Sequence, residues 1–320
     1  MIIKSTQLFS SAIPASRTGK VFQFHLVRVI IACLFLSPVF LLNKVFRSVV
    51  TSSAPMDMRI YFAYAEAIIF FFIFLAAYGL YARFIEKRKA FEISSKLIWK
   101  EFGKGFIISI VLVGVVVAYL TVIGSYRIAD WNPDKKVVID LFMKFMIGAL
   151  LEEIIFRLII FRLTEEILGT WIALIIQAVL FGFAHMANDN STLFTSFSVI
   201  IVGGIIYTGA FMYTRRIWLA LGLHAGWNYF QSGIFGMPNS GTAYKGLIFP
   251  DIRGKEWITG GSWGIEASYI AILVVLITGV YFIIKAKNAN QIVLPVWIRK
   301  RLSLQLYDGY ETLVNYVKIK

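Results

Sequence analysis

Two adjacent glutamates, Glu152 and Glu153, stand in the middle of a run of apolar residues at 137–163. A charged side chain inside a membrane costs several kcal/mol, and those that are kept usually face a wet cavity with a function. Arg157 follows Glu153 by four residues, so the two side chains share a helix face and can form an ion pair. Glu152 is rotated by about 100° from that face and has no such partner. The sequence therefore indicates Glu152 as the carboxylate that could do chemistry.

Two of the three histidines also lie in apolar stretches that predict helices. His185 ends the string FGFAH, which begins with Phe181, and His224 begins the string HAGWN. Asn228 follows His224 by four residues, so these two side chains share a helix face. A single polar residue in a membrane helix is often only an interhelical hydrogen bond, worth roughly 0.6 kcal/mol. Polar groups on three neighbouring helices instead favour one shared polar cavity.

These strings resemble the three motifs of the CAAX prenyl protease and bacteriocin-processing (CPBP) family of intramembrane endopeptidases, which includes Abi-like proteins. The family patterns EExxxR, FxxxH and HxxxN read here as EEIIFR, FGFAH and HAGWN, in the same order and spacing. The resemblance covers about residues 137–235. One departure is Leu158, which follows Arg157 where many family members have glycine. That difference concerns helix packing more than chemistry.

The resemblance implies a role for each polar residue at the site. Glu152 and His185 are expected to hold and activate a water molecule, while His224 and Asn228 face the carbonyl oxygen of the scissile peptide bond. Peptide hydrolysis does need a base that takes a proton from water and donors that stabilise the oxyanion. A carboxylate, two imidazoles and an amide supply both kinds of group.

Glu153 and Arg157 are expected to form a supporting ion pair that fixes the helix. A metal at the site is an open alternative, because Glu152, His185 and His224 could make a three-ligand zinc site with a free position for water. If Glu152 were a ligand, however, no second base would be obvious unless Glu153 turned inward. We therefore favour a mechanism without a cofactor, with zinc as the alternative.

The composition predicts a membrane protein. The 320 residues are 58% hydrophobic and 16% charged, far from the averages of soluble domains. Because backbone groups in lipid must be satisfied internally, the expected fold class is all-α: a polytopic membrane helical bundle with about eight transmembrane helices. Gly222 and Gly226 predict close approach of one of these helices to a neighbour. The predicted spans are 25–42, 60–82, 103–123, 137–163, 167–187, 193–213, 217–235 and 265–284.

Three regions are expected along the chain. They are N-terminal membrane helices with a basic cytoplasmic loop at 1–136, a CPBP-like catalytic core at 137–235, and a loop, the last membrane helix and a basic cytoplasmic tail at 236–320. The formal net charge is +14, but the basic residues lie in short loops and tails, as topology signals do. This distribution argues against a nucleic-acid partner. It predicts that both termini are cytoplasmic and that the basic loops lie against anionic lipid.

Two other polar patterns are interpreted as structural. Asp140 and Lys144 are four residues apart, which predicts a salt bridge at the wet end of their helix. The string GGSWG at 260–264 has the form of a nucleophile elbow around Ser262. That motif acts only on a strand-to-helix turn with a histidine in reach, and no strand pattern lies nearby. We therefore interpret it as a loop.

The function predicted from the sequence is an intramembrane endopeptidase that hydrolyses a peptide bond of a membrane-associated protein or peptide by glutamate-activated water. A proton-coupled transporter is one alternative, because intramembrane Glu, Arg and His can form proton relays; the absence of internal repeats argues against it. A non-catalytic scaffold or bacteriocin-immunity-type protein is the other. The expected partners are the substrate and the lipid bilayer. Fold analogy does not identify the substrate or say whether prenylation is involved.

Overall fold

A computed structural model describes residues 3–10, 23–51, 53–55 and 58–302. This part of the chain is built almost entirely of helices. They are α1 His25–Phe46, α2 Arg59–Phe84, α3 Ile98–Val122, α4 Val137–Glu153, α5 Arg162–Ala184, α6 Leu193–Val199, α7 Ile206–Thr214, α8 Ile217–Asn228, α9 Glu256–Thr259 and α10 Tyr269–Asn288. Wider π-helical turns follow α1, α4, α6 and α8, at Arg47–Thr51, Ile154–Phe161, Ile200–Ile205 and Tyr229–Ile234.

Six helices among the described residues are long and apolar enough to cross a membrane. They are His25–Val50, Arg59–Phe84, Ile98–Val122, Val137–Ala187, Leu193–Thr214 and Tyr269–Asn288. The predicted fold class is confirmed: the chain is an integral membrane protein with a polytopic helical fold. The number of eight membrane helices and the orientation of the termini stay predictions.

The helical stretch Val137–Ala187 accounts for two of the predicted spans. Its 51 residues would extend roughly 75 Å as one straight helix, far more than a bilayer of about 30 Å. Gly169 interrupts it with φ 78° and ψ 170°, a backbone conformation that is essentially restricted to glycine. The rings of Phe156 and Phe181 have centroids 4.8 Å apart, which shows that the chain folds back between them. The stretch is therefore a hairpin of two antiparallel arms.

Helix α8 is buried and packs directly against α3. A Cβ atom on Gly222 would lie 2.2 Å from the carbonyl oxygen of Phe102, and one on Gly226 would lie 2.8 Å from Cβ of Ser109. Only glycine allows the two backbones to approach so closely, as the GxxxG spacing predicted. The hydroxyl of Ser109 also donates to the carbonyl oxygen of Leu223 at 2.6 Å. This packing fixes the helix that carries His224 and Asn228.

A two-stranded antiparallel sheet joins the loop after α3 to the loop after α8. Strand β1 (Tyr126–Trp131) pairs with β2 (Ile248–Ile252). These strands were not predicted from the sequence. Both are short, and the pairing partner of each lies far away in the chain, so no local pattern marks them. The sheet holds the segment that follows α8 close to the helical bundle.

A buried ionic network connects the loop after α2 with α1 and with α5. Glu86 is fully buried and forms ion pairs with Arg28, Arg88 and Arg162, and Arg88 also pairs with Glu92. Burial alone would raise the pKa of Glu86, but the guanidinium groups of Arg162, Arg88 and Arg28 outweigh it and lower the pKa to about 2. These arginines are therefore structural as well as candidate topology signals.

Candidate functional site

The three motifs meet at one cavity of 540 Å³, which is lined by Glu152, His185, His224 and Asn228. Glu152 lies at the end of α4, and His185 begins the short 3₁₀ turn that follows α5. His224 and Asn228 belong to α8. Because Glu152 and His185 lie on opposite arms of the hairpin, at nearly equal distances along the chain from Gly169, the carboxylate and the first imidazole come to the same level of the bundle.

Glu152 reaches into the cavity, with 35% of its side chain exposed. Its Oε2 atom lies 3.9 Å from Nε2 of His185 and 3.7 Å from Nε2 of His224. None of the described residues donates a hydrogen bond to this oxygen. The separations are too long for direct hydrogen bonds. Polar atoms separated by more than about 3.5 Å are commonly joined by a bridging water.

Both imidazoles turn the same nitrogen toward Glu152. Nδ1 of His185 lies 2.8 Å from the carbonyl oxygen of Phe181, which can only accept, so Nδ1 carries the hydrogen. Nδ1 of His224 lies 2.8 Å from Oε1 of Glu153 and likewise donates. In the neutral form each ring then presents an Nε2 lone pair to the cavity.

Glu153 and Arg157 lie behind the cavity and are fully buried. Nη1 of Arg157 is 3.1 Å from Oε1 of Glu153, which is the ion pair expected from the sequence. Nη2 of Arg157 donates to the carbonyl oxygen of Gly203 at 2.7 Å. The contact between Glu153 and His224 was missed by the sequence analysis. It makes Glu153 the group that sets the orientation and the tautomer of the His224 ring.

Aromatic rings enclose the charged groups. His224 stacks on Tyr207, with ring centroids 4.4 Å apart, and meets the edge of Phe181 at 6.1 Å. The guanidinium of Arg157 lies 4.7 Å above the Phe181 ring and 5.4 Å above the Tyr207 ring, in cation–π geometry. Phe181 belongs to the second motif, whereas Tyr207 lies outside all three motifs and was not predicted.

Asn228 is fixed by a residue that the sequence analysis also missed. Its Oδ1 atom accepts a hydrogen bond from Nδ2 of Asn239 at 3.1 Å, so the NH₂ end of Asn228 remains as the donor. Asn239 and Ser240 line the cavity beside it. Ser240 is in turn held by Glu266, whose pKa is raised to about 7 by burial, against the opposing effect of hydrogen bonds from Gln231 and Ser240.

The predicted zinc ligands are residues of suitable types, but they are not arranged as a metal site. Two imidazoles and one carboxylate are ligands that catalytic zinc sites use. Among residues 3–10, 23–51, 53–55 and 58–302, however, no three His, Cys, Asp or Glu side chains are grouped so that they could hold a metal ion.

The predicted salt bridge between Asp140 and Lys144 is wrong. Oδ1 of Asp140 instead accepts from the hydroxyl of Tyr64 at 2.5 Å, and the Lys144 ammonium lies 4.4 Å above the ring of Tyr244. Both residues line the cavity. The spacing along the helix permits an ion pair between Asp140 and Lys144, but each of these side chains instead contacts a tyrosine from another part of the chain. Ser262 lies at a different pocket, in keeping with its interpretation as a loop residue.

Known proteins resemble the part of the chain that contains this site. The family model described as "Type II CAAX prenyl endopeptidase Rce1-like" matches residues 134–230. We refer to residues 134–230, which are similar to that family, as the Rce1-like segment. The family resemblance expected from the motifs is thereby confirmed, and it supports an intramembrane protease at the level of the family.

One curated relative agrees with this class. "Putative membrane peptidase YdiL" of Bacillus subtilis (strain 168) is 36% identical over 87 residues, which are 27% of this chain and 32% of that protein. The match thus spans about a third of the relative's length. No solved structure matches the chain. The predicted site residues all lie in the Rce1-like segment, whereas Asn239 and Glu266 lie beyond it.

Proposed function

We propose that the protein is an intramembrane endopeptidase that hydrolyses a peptide bond of a membrane-associated protein or peptide, with water activated by Glu152. One observation carries this proposal: Oε2 of Glu152 lies 3.9 Å from Nε2 of His185 and 3.7 Å from Nε2 of His224, and all three residues line one cavity. The peptidase class of the matching family supports it.

In the first step, Glu152 takes a proton from the water as the water oxygen attacks the carbonyl carbon of the substrate. His185, held by its Nδ1 hydrogen bond to Phe181, accepts the second hydrogen bond of that water through Nε2. The new C–O bond forms, and the electron pair of the carbonyl moves onto its oxygen. When the C–N bond then breaks, the protonated Glu152 returns the proton to the leaving amine.

The negative oxygen of the intermediate needs donors, which Asn228 and His224 can supply. The NH₂ of Asn228 can donate directly, because its oxygen already accepts from Asn239. His224 donates from Nε2 only as an imidazolium, since its Nδ1 hydrogen is given to Glu153. The carboxylate of Glu153 is then the counter-ion of that cation, as in other carboxylate–histidine pairs.

The test compares membranes from cells that produce the wild type or Glu152→Gln, using mass spectrometry of protein C-termini. We expect a new C-terminus with the wild type and an accumulating precursor with the variant. The control is Glu256→Gln, which changes an exposed glutamate far along the chain. The family name makes a prenylated C-terminal peptide the first substrate to examine. Identical termini in all samples would contradict the proposal. If Glu152→Gln then still bound a partner protein, the result would indicate a scaffold. If Glu152→Gln lost proton-coupled flux, it would indicate a transporter.

A further inference from the structure

The segment 238–242, which follows α8 and its π-helical turn, touches both halves of the site. From this segment Asn239 donates to Asn228 at 3.1 Å. On the other side, Nδ2 of Asn188 donates to the carbonyl oxygen of Ser240 at 3.0 Å, and Asn188 follows His185 by three residues. The position of this segment therefore affects the placement of the Asn228 amide and of the turn that carries His185.

Glu266 holds the segment from the side away from the cavity. It lies in the 3₁₀ turn Ile265–Ala267 just before α10, and it is 4% exposed. Its Oε1 atom accepts from the backbone N–H and from the hydroxyl of Ser240, both at 3.2 Å. Its Oε2 atom accepts from Nε2 of Gln231 at 2.7 Å, and Gln231 also donates to the carbonyl oxygen of Pro238 at 2.5 Å. Both carboxylate oxygens are thus acceptors that join the π-helical turn Tyr229–Ile234 to the segment.

The cluster around Glu266 is tightly built. Ser240 has φ 46°, a left-handed conformation that costs energy in a residue with a side chain, and Glu266 accepts both of its hydrogen-bond donors. A Cβ atom on Gly264 would lie 2.2 Å from the carbonyl oxygen of Pro238 and 2.6 Å from Oε2 of Glu266. A buried carboxylate whose hydrogen-bond donors are neutral is costly to keep.

We propose that Glu266 is a positioning residue for Asn228. Its carboxyl group holds the segment 238–242 against the π-helical turn that follows α8, so that Asn239 holds the Asn228 amide with its NH₂ toward the substrate carbonyl. Glu266 does not line the cavity and acts through Asn239. This inference rests on the proposed function. It adds that a residue outside the Rce1-like segment positions the donor that stabilises the oxyanion.

The first test is Glu266→Gln in the full-length protein, reconstituted in vesicles with the precursor peptide that accumulates in Glu152→Gln membranes. Both carboxylate oxygens of Glu266 accept hydrogen bonds, one from Gln231 and the other from Ser240. In either orientation of the glutamine amide, its NH₂ group therefore faces another hydrogen-bond donor. We expect kcat to fall about tenfold to hundredfold, as for a misplaced catalytic group, while KM changes by less than about twofold. Glu256→Gln, the exposed control, should match the wild type.

A double variant distinguishes positioning from a general structural role. If Glu266 acts through Asn228, adding Glu266→Gln to Asn228→Ala should change the remaining kcat by less than about twofold, because the two changes remove one interaction. Asn239→Ala breaks the link at its other end and should lower kcat as Glu266→Gln does. It also serves as the second variant if thermal unfolding shows that Glu266→Gln folds poorly.

Two kinds of failure can be told apart. Wild-type kcat in either single variant, or losses that multiply in the double variant, would overturn the role of Glu266 while Glu152-dependent cleavage remains. Absence of any Glu152-dependent cleavage by the wild type would instead overturn the proposed function, and this inference with it.

Discussion

Glu152 and Glu153 approach the two nitrogens of one imidazole from neighbouring positions in the chain. Glu153 contacts Nδ1 of His224 at 2.8 Å, and Glu152 lies 3.7 Å from its Nε2. Adjacent helix positions differ by about 100° in direction, so one carboxylate can lie behind the ring while the other enters the cavity. This explains how two identical side chains can have different roles.

The division between these carboxylates predicts different consequences for folding. Arg157→Ala leaves the buried Glu153 without its cation, which typically costs 3–5 kcal/mol, so the amount of folded protein should fall. Glu152→Gln changes a side chain that faces the cavity and should leave folding intact. Size-exclusion chromatography and thermal unfolding in detergent measure both effects. Equal yields and equal unfolding temperatures for the two variants would contradict this division.

Asn228→Ala tests the proposed oxyanion donor. Loss of one such donor typically lowers turnover by about 10²–10³-fold, and we expect a decrease in kcat of this size with little change in folding. His224→Ala should be at least as damaging. Steady-state kinetics of the reconstituted protein provide the measurement. A kcat within about threefold of the wild type for Asn228→Ala would rule out this role, given the size that the effect should have.

Motif spacing was sufficient to predict which polar residues share a cavity, but not which of them touch. The pair Glu153–Arg157 was predictable because both residues lie on one helix. The contact of Glu153 with His224 depends on how α4 packs against α8, which no local pattern records. The error at Asp140 has the same origin, since its partner Tyr64 comes from α2.

Among the helices, α4 and α8 share a feature directly after their functional residues. α4 widens into the π-helical turn Ile154–Phe161, and α8 into Tyr229–Ile234. Such turns are frequent at functional sites because they redirect side chains without ending the helix. The sequence analysis did not predict them, since the hydrophobic pattern of long apolar runs does not distinguish a π turn from an α-helix.

The hairpin that brings Glu152 to His185 depends on Gly169. A Cβ atom at this position would lie 2.8 Å from the backbone nitrogen of Pro295 and from the carbonyl oxygen of Val293, and φ 78° disfavours any other residue. Gly169→Ala should therefore destabilise the fold by about 1–3 kcal/mol. Gly114→Ala is the matched control, because a Cβ atom there meets nothing within 4 Å. Equal unfolding temperatures for the two variants would argue against this hairpin.

The ionic network around Glu86 predicts how stability depends on pH. Because its pKa is lowered from 4.5 to about 2 in the folded protein, its stabilising effect is fully present above pH 4.5. It is lost as the pH falls from 4.5 toward 2, and it amounts to about 3 kcal/mol. Glu86→Gln should be less stable at neutral pH and lack this acid dependence, whereas Glu256→Gln should keep it. Parallel acid profiles of Glu86→Gln and the wild type would contradict the assignment.

For the whole molecule, composition and hydropathy predicted the class of fold because lipid leaves the backbone few alternatives to helices. They did not establish the number of crossings. The hairpin at Gly169 is one helical stretch of 51 residues. Helix α8 has only 12 residues and is buried among other helices. The pairing of β1 with β2 and the clamp at Glu266 depend on contacts between distant parts of the chain. Such contacts have no local signature.

We propose that the assembled protein needs no metal. The cavity holds one carboxylate, Glu152, that faces both imidazoles, and it cannot serve well as both ligand and base. The protein should therefore still cleave its substrate after exhaustive chelation. Elemental analysis of the chelated protein checks that no metal remains. Activity that is abolished by a chelator and restored by stoichiometric zinc would contradict this prediction, while leaving Glu152, His185 and His224 at the site.

The central claim is that Glu152 activates the water. Its most direct test is cleavage of the accumulated precursor peptide by purified wild-type protein and by Glu152→Gln in vesicles, with Glu256→Gln as the control. We predict that Glu152→Gln binds the peptide and unfolds at the wild-type temperature, but cleaves about 10²–10⁴-fold more slowly, the usual contribution of a general base. Cleavage by Glu152→Gln at the wild-type rate would contradict it.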